Sequence, residues 1–200
     1  MGEGVSEERD QTGGIELRGE RVVLRDQRPS DVDARLRWLT TEIEWGYWDA
    51  PWEGNDPLPP ERIDEVRRGM LDAMRNPLPS PRARLFIELV HGPLIGWVNS
   101  YDHDPVDRSA RVGIDICESA HWGRGLGTEA LRLWIDYLFA GLDLERVRMA
   151  TWSGNERMIR VAEKLGFVLE ERVPDAREVR GRRYDSVRFA LTKQTWNRRA

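Results

Sequence analysis

The stretch from Ala110 to Leu131 constrains this chain more than any other. Val112, Ile114 and Ile116 alternate with Arg111, Gly113, Asp115 and Cys117, the period-two pattern of a strand with one apolar face. Trp122-Gly123-Arg124-Gly125-Leu126-Gly127 follows, and Ala130, Leu131, Trp134 and Leu138 then recur at helical spacing. A strand, a glycine-rich turn and a helix opening near Leu126 put free backbone N–H groups and the positive end of a helix dipole at the turn. Glycines let a phosphate approach those groups with no Cβ in the way. The unit predicts a pyrophosphate cradle formed by Gly123, Gly125, Leu126, Gly127 and Thr128. Arg124 adds charge beside it, and Arg157 and Arg160 add more from the next helix.

Two familiar phosphate signatures do not fit. A dinucleotide fingerprint needs glycine at the sixth position of G-x-G-x-x-G, which here is Thr128. The nucleotide-hydrolase loop needs Gly-Lys-Ser/Thr, which is absent. Taken alone, the turn is also compatible with glycines that merely permit close strand–helix packing.

The remaining pattern mixes strands and helices. A strand is expected over Leu17–Arg25, a helix from Val32 to about Thr41 behind Pro29-Ser30-Asp31, and a second helix from about Pro60 through Met74. Leu85–Val90 and Leu94–Tyr101 read as a hairpin about His91-Gly92-Pro93, with a turn over Asp102–Asp107. Later come a strand at Arg146–Trp152, a helix at Asn155–Lys164 stopped by Gly166, and strands at Phe167–Val173 and Tyr184–Thr192. Between the first two helices, Glu42–Pro60 forms a long loop rich in Trp, Gly and Pro. Its tryptophans argue for an ordered segment.

The 200 residues fit one domain, expected over 15–200, behind a polar, Gly-rich tail at 1–14 expected to be disordered. Lys and Arg number 31 against 35 Asp and Glu, so the chain lacks the basic excess of a duplex binder and nucleic acid is not expected as a partner. Cys117 is the one cysteine, which leaves no intramolecular disulfide. No apolar run approaches the ~20 residues that span a bilayer, and Met1–Gly14 has no signal-peptide core. A cytoplasmic protein with no membrane partner and no metal is expected.

The run Trp122-Gly123-Arg124-Gly125-Leu126-Gly127-Thr128-Glu129-Ala130-Leu131 resembles the acetyl-CoA motif, Arg/Gln-x-x-Gly-x-Gly/Ala, of the GNAT superfamily of N-acetyltransferases. It is closest to the RimJ/RimL-like and polyamine-acetylating branches, where a departure at the lead position, here Trp122, is common. A second stretch, Asn155 followed by Glu163-Lys164-Leu165-Gly166-Phe167, resembles that family's Asn…Glu-Lys-Leu-Gly-Phe signature. The likeness runs from about Ala110 to Val173.

The resemblance implies an α/β (α+β) fold, a mixed, twisted sheet flanked by helices and splayed open between parallel strands 110–117 and 146–152. It implies acetyl-CoA as co-substrate, with the pantetheine arm pairing near Ile116, Cys117 and Glu118 and meeting Asn155 on the other wall. Asn155 reads equally as a helix N-cap. The implied reaction is direct transfer of an acetyl group to a primary amine, on a protein N-terminus, a polyamine or another small cation. A non-catalytic acyl-CoA sensor or scaffold is the alternative, and succinyl-CoA remains open as donor. Homodimers are common among such domains, and no residue here decides for one.

Asp115, on the polar face of its strand, is the candidate base, with Glu118 and His121 as alternatives. The family's two usual leaving-group acids are replaced by Ala162 and Met158, which leaves Tyr184 or water for that role. Cys117 reads as a structural cysteine. Trp45 and Trp48, with Glu42, Glu44, Asp49 and Glu53 nearby, have the composition of a wall that accepts a cation.

Overall fold

A computed structural model describes residues 7–9 and 14–198. Nine strands form one sheet in the order β1-β2-β3-β4-β5-β6-β7-β9-β8. They are β1 (Glu7–Arg9), β2 (Ile15–Arg18), β3 (Val22–Arg25), β4 (Arg84–Leu89), β5 (Leu94–Asp104), β6 (Ser109–Ile116), β7 (Arg146–Trp152), β8 (Val168–Val179) and β9 (Arg182–Thr192). Neighbours are antiparallel except β6 and β7, which run parallel at the centre. The helices are α1 (Val32–Thr40), α2 (Gly46–Asp49), α3 (Ile63–Ala73), α4 (Leu126–Gly141), α5 (Glu156–Leu165) and α6 (Lys193–Asn197).

Two cores follow from strand alternation. On one face Leu85, Ile87, Ile95, Val98, Val112, Val147 and Leu191 pack against Ala130, Leu131, Trp134 and Leu138 of α4. The α4 stripe is wholly buried because these side chains recur at helical spacing and α4 lies flat on the sheet. On the other face a smaller cluster joins Trp38 of α1 to Phe86, Leu94 and Cys117, with Trp45 and Trp97 against it. The tryptophan-rich segment therefore belongs to the second face, which also carries Asp115.

The helix ends match their residues. Asn155 caps α5, its Oδ1 accepting the Met158 N–H at 3.1 Å, and Gly166 closes it in the left-handed region at φ 83°. Asp31 precedes α1 but does not cap it through its side chain. Its carboxylate instead forms a buried, two-pronged pair with Arg25, both contacts at 2.8 Å, which ties α1 to β3.

Several expectations change. The strand expected over Leu17–Arg25 is two, because Gly19 and Glu20 turn the chain and Gly19 N–H bonds Val22 O at 2.8 Å. β8 and β9 run to Val179 and from Arg182, so most of the charged connection between them is a hairpin. α6 was not anticipated. Of the tail expected to be disordered, residues 1–6 and 10–13 lie outside the described residues, whereas Glu7–Arg9 pair with β2 as an edge strand.

Candidate active site

β6 and β7 pair over three residue couples only, Ser109↔Arg146, Ala110↔Val147 and Arg111↔Arg148. Beyond Arg111, β6 follows β5, while β7 continues beside β9 as far as Trp152. The sheet parts there into a cleft of about 260 Å³, with Val112–Ile116 on one wall and Ala150, Thr151 and Asn155 on the other. Cys117 N–H donates to Ile95 O at 2.8 Å, which fixes the phase of the antiparallel ladder. Odd-numbered residues of β6 bond toward β5, and the backbone N–H and C=O groups of Ile114 and Ile116 face the cleft. A ligand bearing amides satisfies such groups.

Two expected cofactor contacts, Cys117 and Glu118, do not line the cleft with their side chains. Cys117 is buried and its N–H is used by β5. Glu118 turns back toward α1, where its Oε1 accepts the Trp38 indole N–H at 2.7 Å and pairs with Arg37. That bond also removes Glu118 as an alternative base. Ile116 stays in the cleft wall, its carbonyl accepting the Trp122 indole N–H at 2.6 Å.

At one end of the cleft lies the glycine turn. Gly123 and Gly125 have φ of 73° and 80°, a region that other residues occupy at a cost, and Gly125 leads directly into α4. Gly123, Gly125, Leu126, Gly127 and Thr128 all line the cleft at the helix N-terminus. The Arg124 side chain is exposed and lies outside that wall. Its backbone carbonyl is held by Arg21 Nη1 at 2.8 Å. Arg21 also donates Nε and its backbone N–H to Glu129, at 2.8 and 2.7 Å. The Arg21 guanidinium thus reaches to 3.4 Å of where a Cβ on Gly125 would stand. No local sequence signal marks Arg21, because its partners are more than a hundred residues away.

Asn155, Arg157, Met158 and Arg160 form the far wall. Asn155 Oδ1 serves as the cap, and Nδ2 donates to Trp48 O at 2.7 Å. Arg160 pairs with Glu156 one turn back, at 3.1 Å. The Arg157 guanidinium lies between two indoles, 4.1 Å from the ring centres of both Trp48 and Trp122. Ala162 is buried, and Tyr184 packs edge-on against Trp152 at 4.8 Å, outside the cleft wall. Tyr184 therefore does not line the cleft, whereas Lys164 of α5 does.

On the second face, Trp45, Trp48 and Asp49 of the α2 segment roof the cleft beside Tyr101, Gly113 and Asp115. Glu42 and Glu44 do not line it, and Asp49 is the acid that the loop supplies. Burial pushes the Asp115 carboxyl well above the usual carboxylate range, and the charge of Asp49 pushes it further. Arg84 and a hydrogen bond from Trp97 act in the opposite sense. Asp49 is raised as well, by burial and then by Glu53. Burial likewise raises the Cys117 thiol, with Asp115 and Glu118 adding to the effect, so Cys117 is no nucleophile at neutral pH. His121 also lines the cleft, at the turn. Among the described residues no group of His, Cys, Asp and Glu is placed to hold a metal ion, and no helix is long and apolar enough to cross a membrane.

A sheet split between two parallel strands, with a glycine turn and a helix N-terminus at its mouth, leaves a cleft with backbone donors at one end. The family pattern described as an acetyltransferase (GNAT) domain matches residues 21–168, and the chain belongs to that family. It is 35% identical over 108 residues to YdaF of Bacillus subtilis (strain 168), covering 54% of this chain and 58% of that protein. It is 27% identical over 163 residues to the aminoglycoside N(6')-acetyltransferase type 1 of Klebsiella pneumoniae, covering 73% of each. The fold is also that of spermidine N-acetyltransferase from Vibrio cholerae, solved with CoA and spermine, at a TM-score of 0.69 and 20% identity over 90% of this chain and 99% of that one.

Proposed function

We propose that the chain transfers an acetyl group from acetyl-CoA to a primary amine on a positively charged acceptor, which lies under the α2 segment between Asp49 and Asp115. The carrying observation is this pair of carboxylates in the cleft, both with raised pKa, on the sheet face opposite α4 and beside the aromatic walls Trp45, Trp48 and Tyr101. Aromatic faces and carboxylates together favour a cation over a neutral amine. The chain's relatives are named for spermidine, for an aminoglycoside and, in YdaF, for a ribosomal acceptor, so the preference for a small polycation rests on the acids and aromatic walls of the cleft.

The cleft fits acetyl-CoA by its donor set. Free N–H groups of the first turn of α4 and the Arg21 guanidinium suit a pyrophosphate, and the cleft-facing backbone groups of Ile114 suit the pantetheine arm. The co-substrate supplies an acyl group activated as a thioester. Asp115 takes a proton from the bound ammonium, directly or through water. Its raised pKa brings it toward the amine it must deprotonate. Asp49 holds the cation by charge. The Ile116 N–H is placed to donate to the oxyanion that develops on the acyl carbonyl. Ala162 and Met158 carry no acidic proton, so the thiolate takes its proton from water or from another group of the cleft wall, where α5 supplies Lys164.

Turnover with a panel of mono- and polyamines tests the reading. Asp115→Asn should lower kcat on the order of 10²-fold with acetyl-CoA affinity intact, whereas Asp49→Asn should chiefly raise the amine KM. The acid limb of the wild-type pH–rate profile should lie above the normal carboxylate range and vanish in Asp115→Asn. Binding of acetyl-CoA with no turnover of any amine would leave a sensor or scaffold instead.

A further inference from the structure

Arg157 is a cation in the wall of a cleft that suits an anionic co-substrate, and its nearest partners are aromatic. It sits in the first turn of α5, two residues after Asn155. Its guanidinium carbon lies over both the Trp48 and the Trp122 ring, 4.1 Å from each ring centre. Its Nη2 is buried without a hydrogen-bond partner. Two aromatic faces beside a guanidinium stabilise its charge through their quadrupoles.

The two indoles belong to different functional parts. Trp122 heads the glycine turn and is fixed to the end of β6 through Ile116 O. Trp48 precedes Asp49 in α2. Its carbonyl accepts from Asn155 Nδ2 at 2.7 Å and from Trp152 Nε1 at 3.2 Å, and its ring stacks on Trp152 with centroids 6.0 Å apart. A continuous column, Trp122–Arg157–Trp48–Trp152, therefore crosses the split from the cofactor turn to the acceptor roof, and Arg157 is its one charged member.

We propose that Arg157 is a positioning residue that couples occupancy of the glycine turn to docking of the acceptor segment, 45–50. The inference rests on the reading of that segment as the acceptor roof. A ligand shifts a second element only through contacts that differ between that element's states. A CoA molecule on the turn adds contacts beside Trp122, and Trp122 is half of the aromatic site in which Arg157 meets Trp48. Docked Trp48 in turn places Asp49 over Asp115. The coupling is reciprocal, so a bound acceptor tightens CoA by the same factor.

Hydrogen exchange of residues 45–50 with and without CoA tests this with no acceptor present. In the wild type CoA should slow exchange there by about tenfold, within the usual range of such couplings. Arg157→Leu should abolish that response and weaken the calorimetric CoA Kd by no more than about tenfold, the factor that reciprocity assigns to the lost coupling. Arg157→Lys, which keeps the charge but not the flat face, should retain part of the response and also serves if the leucine variant does not fold. Trp48→Leu should match Arg157→Leu, and the double variant should be no worse than either, because the two act through one contact. Full CoA-driven protection in Arg157→Leu or Arg157→Lys overturns the proposal. So does a loss of CoA affinity of about a hundredfold or more in both variants, which exceeds the coupling and would make Arg157 a phosphate ligand. Failure of every amine in the turnover panel would sink the proposed reaction and leave this exchange result standing.

Discussion

Asp115 combines the site's chemistry with a cost to the fold. Burial and the neighbouring Asp49 favour its protonated form in the folded chain. A carboxyl with a raised folded-state pKa binds its proton more tightly folded than unfolded, so stability falls as pH rises through the window between the two values. Below the unfolded carboxylate pKa, about 3.9, both states are protonated and the penalty is absent. Above the folded value it is complete. Asp115→Asn removes the charge and keeps the shape, so this variant should melt at a higher temperature than the wild type at pH 7. The gap should close as pH falls toward 4, as seen by calorimetric melts across that range. A variant that is more stable and less active is the usual sign of a residue kept for function. Equal Tm values at pH 7 would mean that the carboxylate is solvated and unfit for the proposed role.

Among the elements, β5 and β6 set where that carboxylate stands. Gly96 lies opposite Ile116, and a Cβ on it would come within 1.9 Å of the Asp115 carbonyl oxygen. Backbone cannot yield there as a side-chain tip could. Gly96→Ala should therefore destabilise the fold by about 1–3 kcal/mol in urea unfolding. It should also raise the amine KM more than it weakens acetyl-CoA binding, because the strand is displaced at Asp115 and not at the turn. The elements that were legible in the sequence are those whose signals are local. Alternation in β6, the glycine turn into α4, and Asn155 and Gly166 bracketing α5 each declare themselves within a few residues. The β2–β3 hairpin was hidden because Gly19-Glu20 interrupts a run that otherwise reads as one strand. The extended β8–β9 hairpin was hidden because ion pairs such as Arg172–Asp185 stand where apolar alternation would have signalled strands. Asp49 was visible only as one of several acids in a loop. Which acid enters the cleft depends on how Trp48 docks on Asn155 and Trp152, a contact across more than a hundred residues.

At the scale of the whole molecule, the sheet is one ribbon with a weak middle. β1–β6 and β7–β9 join through three residue couples and through the shared packing of α4 and α5. The brace from Arg21 to the glycine turn and the column through Arg157 are long-range additions that no local pattern could reveal. A ligand in the cleft touches both parts of the sheet and binds only the folded chain. At a hundredfold excess over Kd it should stabilise the protein by about 2.7 kcal/mol, which in a domain of this size raises Tm by roughly 5–10 °C. Gly125→Glu places bulk and negative charge in the cradle, on a residue held at φ 80°. Its own Tm should drop from backbone strain, and the shift with acetyl-CoA should disappear. Strain alone would not remove the shift, and Gly181 provides the control. It has a φ of 74° in the β8–β9 turn, with open space where its Cβ would stand. Gly181→Glu should lose a similar amount of basal stability and keep the full acetyl-CoA shift. An undiminished shift in folded Gly125→Glu would move the pyrophosphate away from the turn and with it the whole placement of the co-substrate.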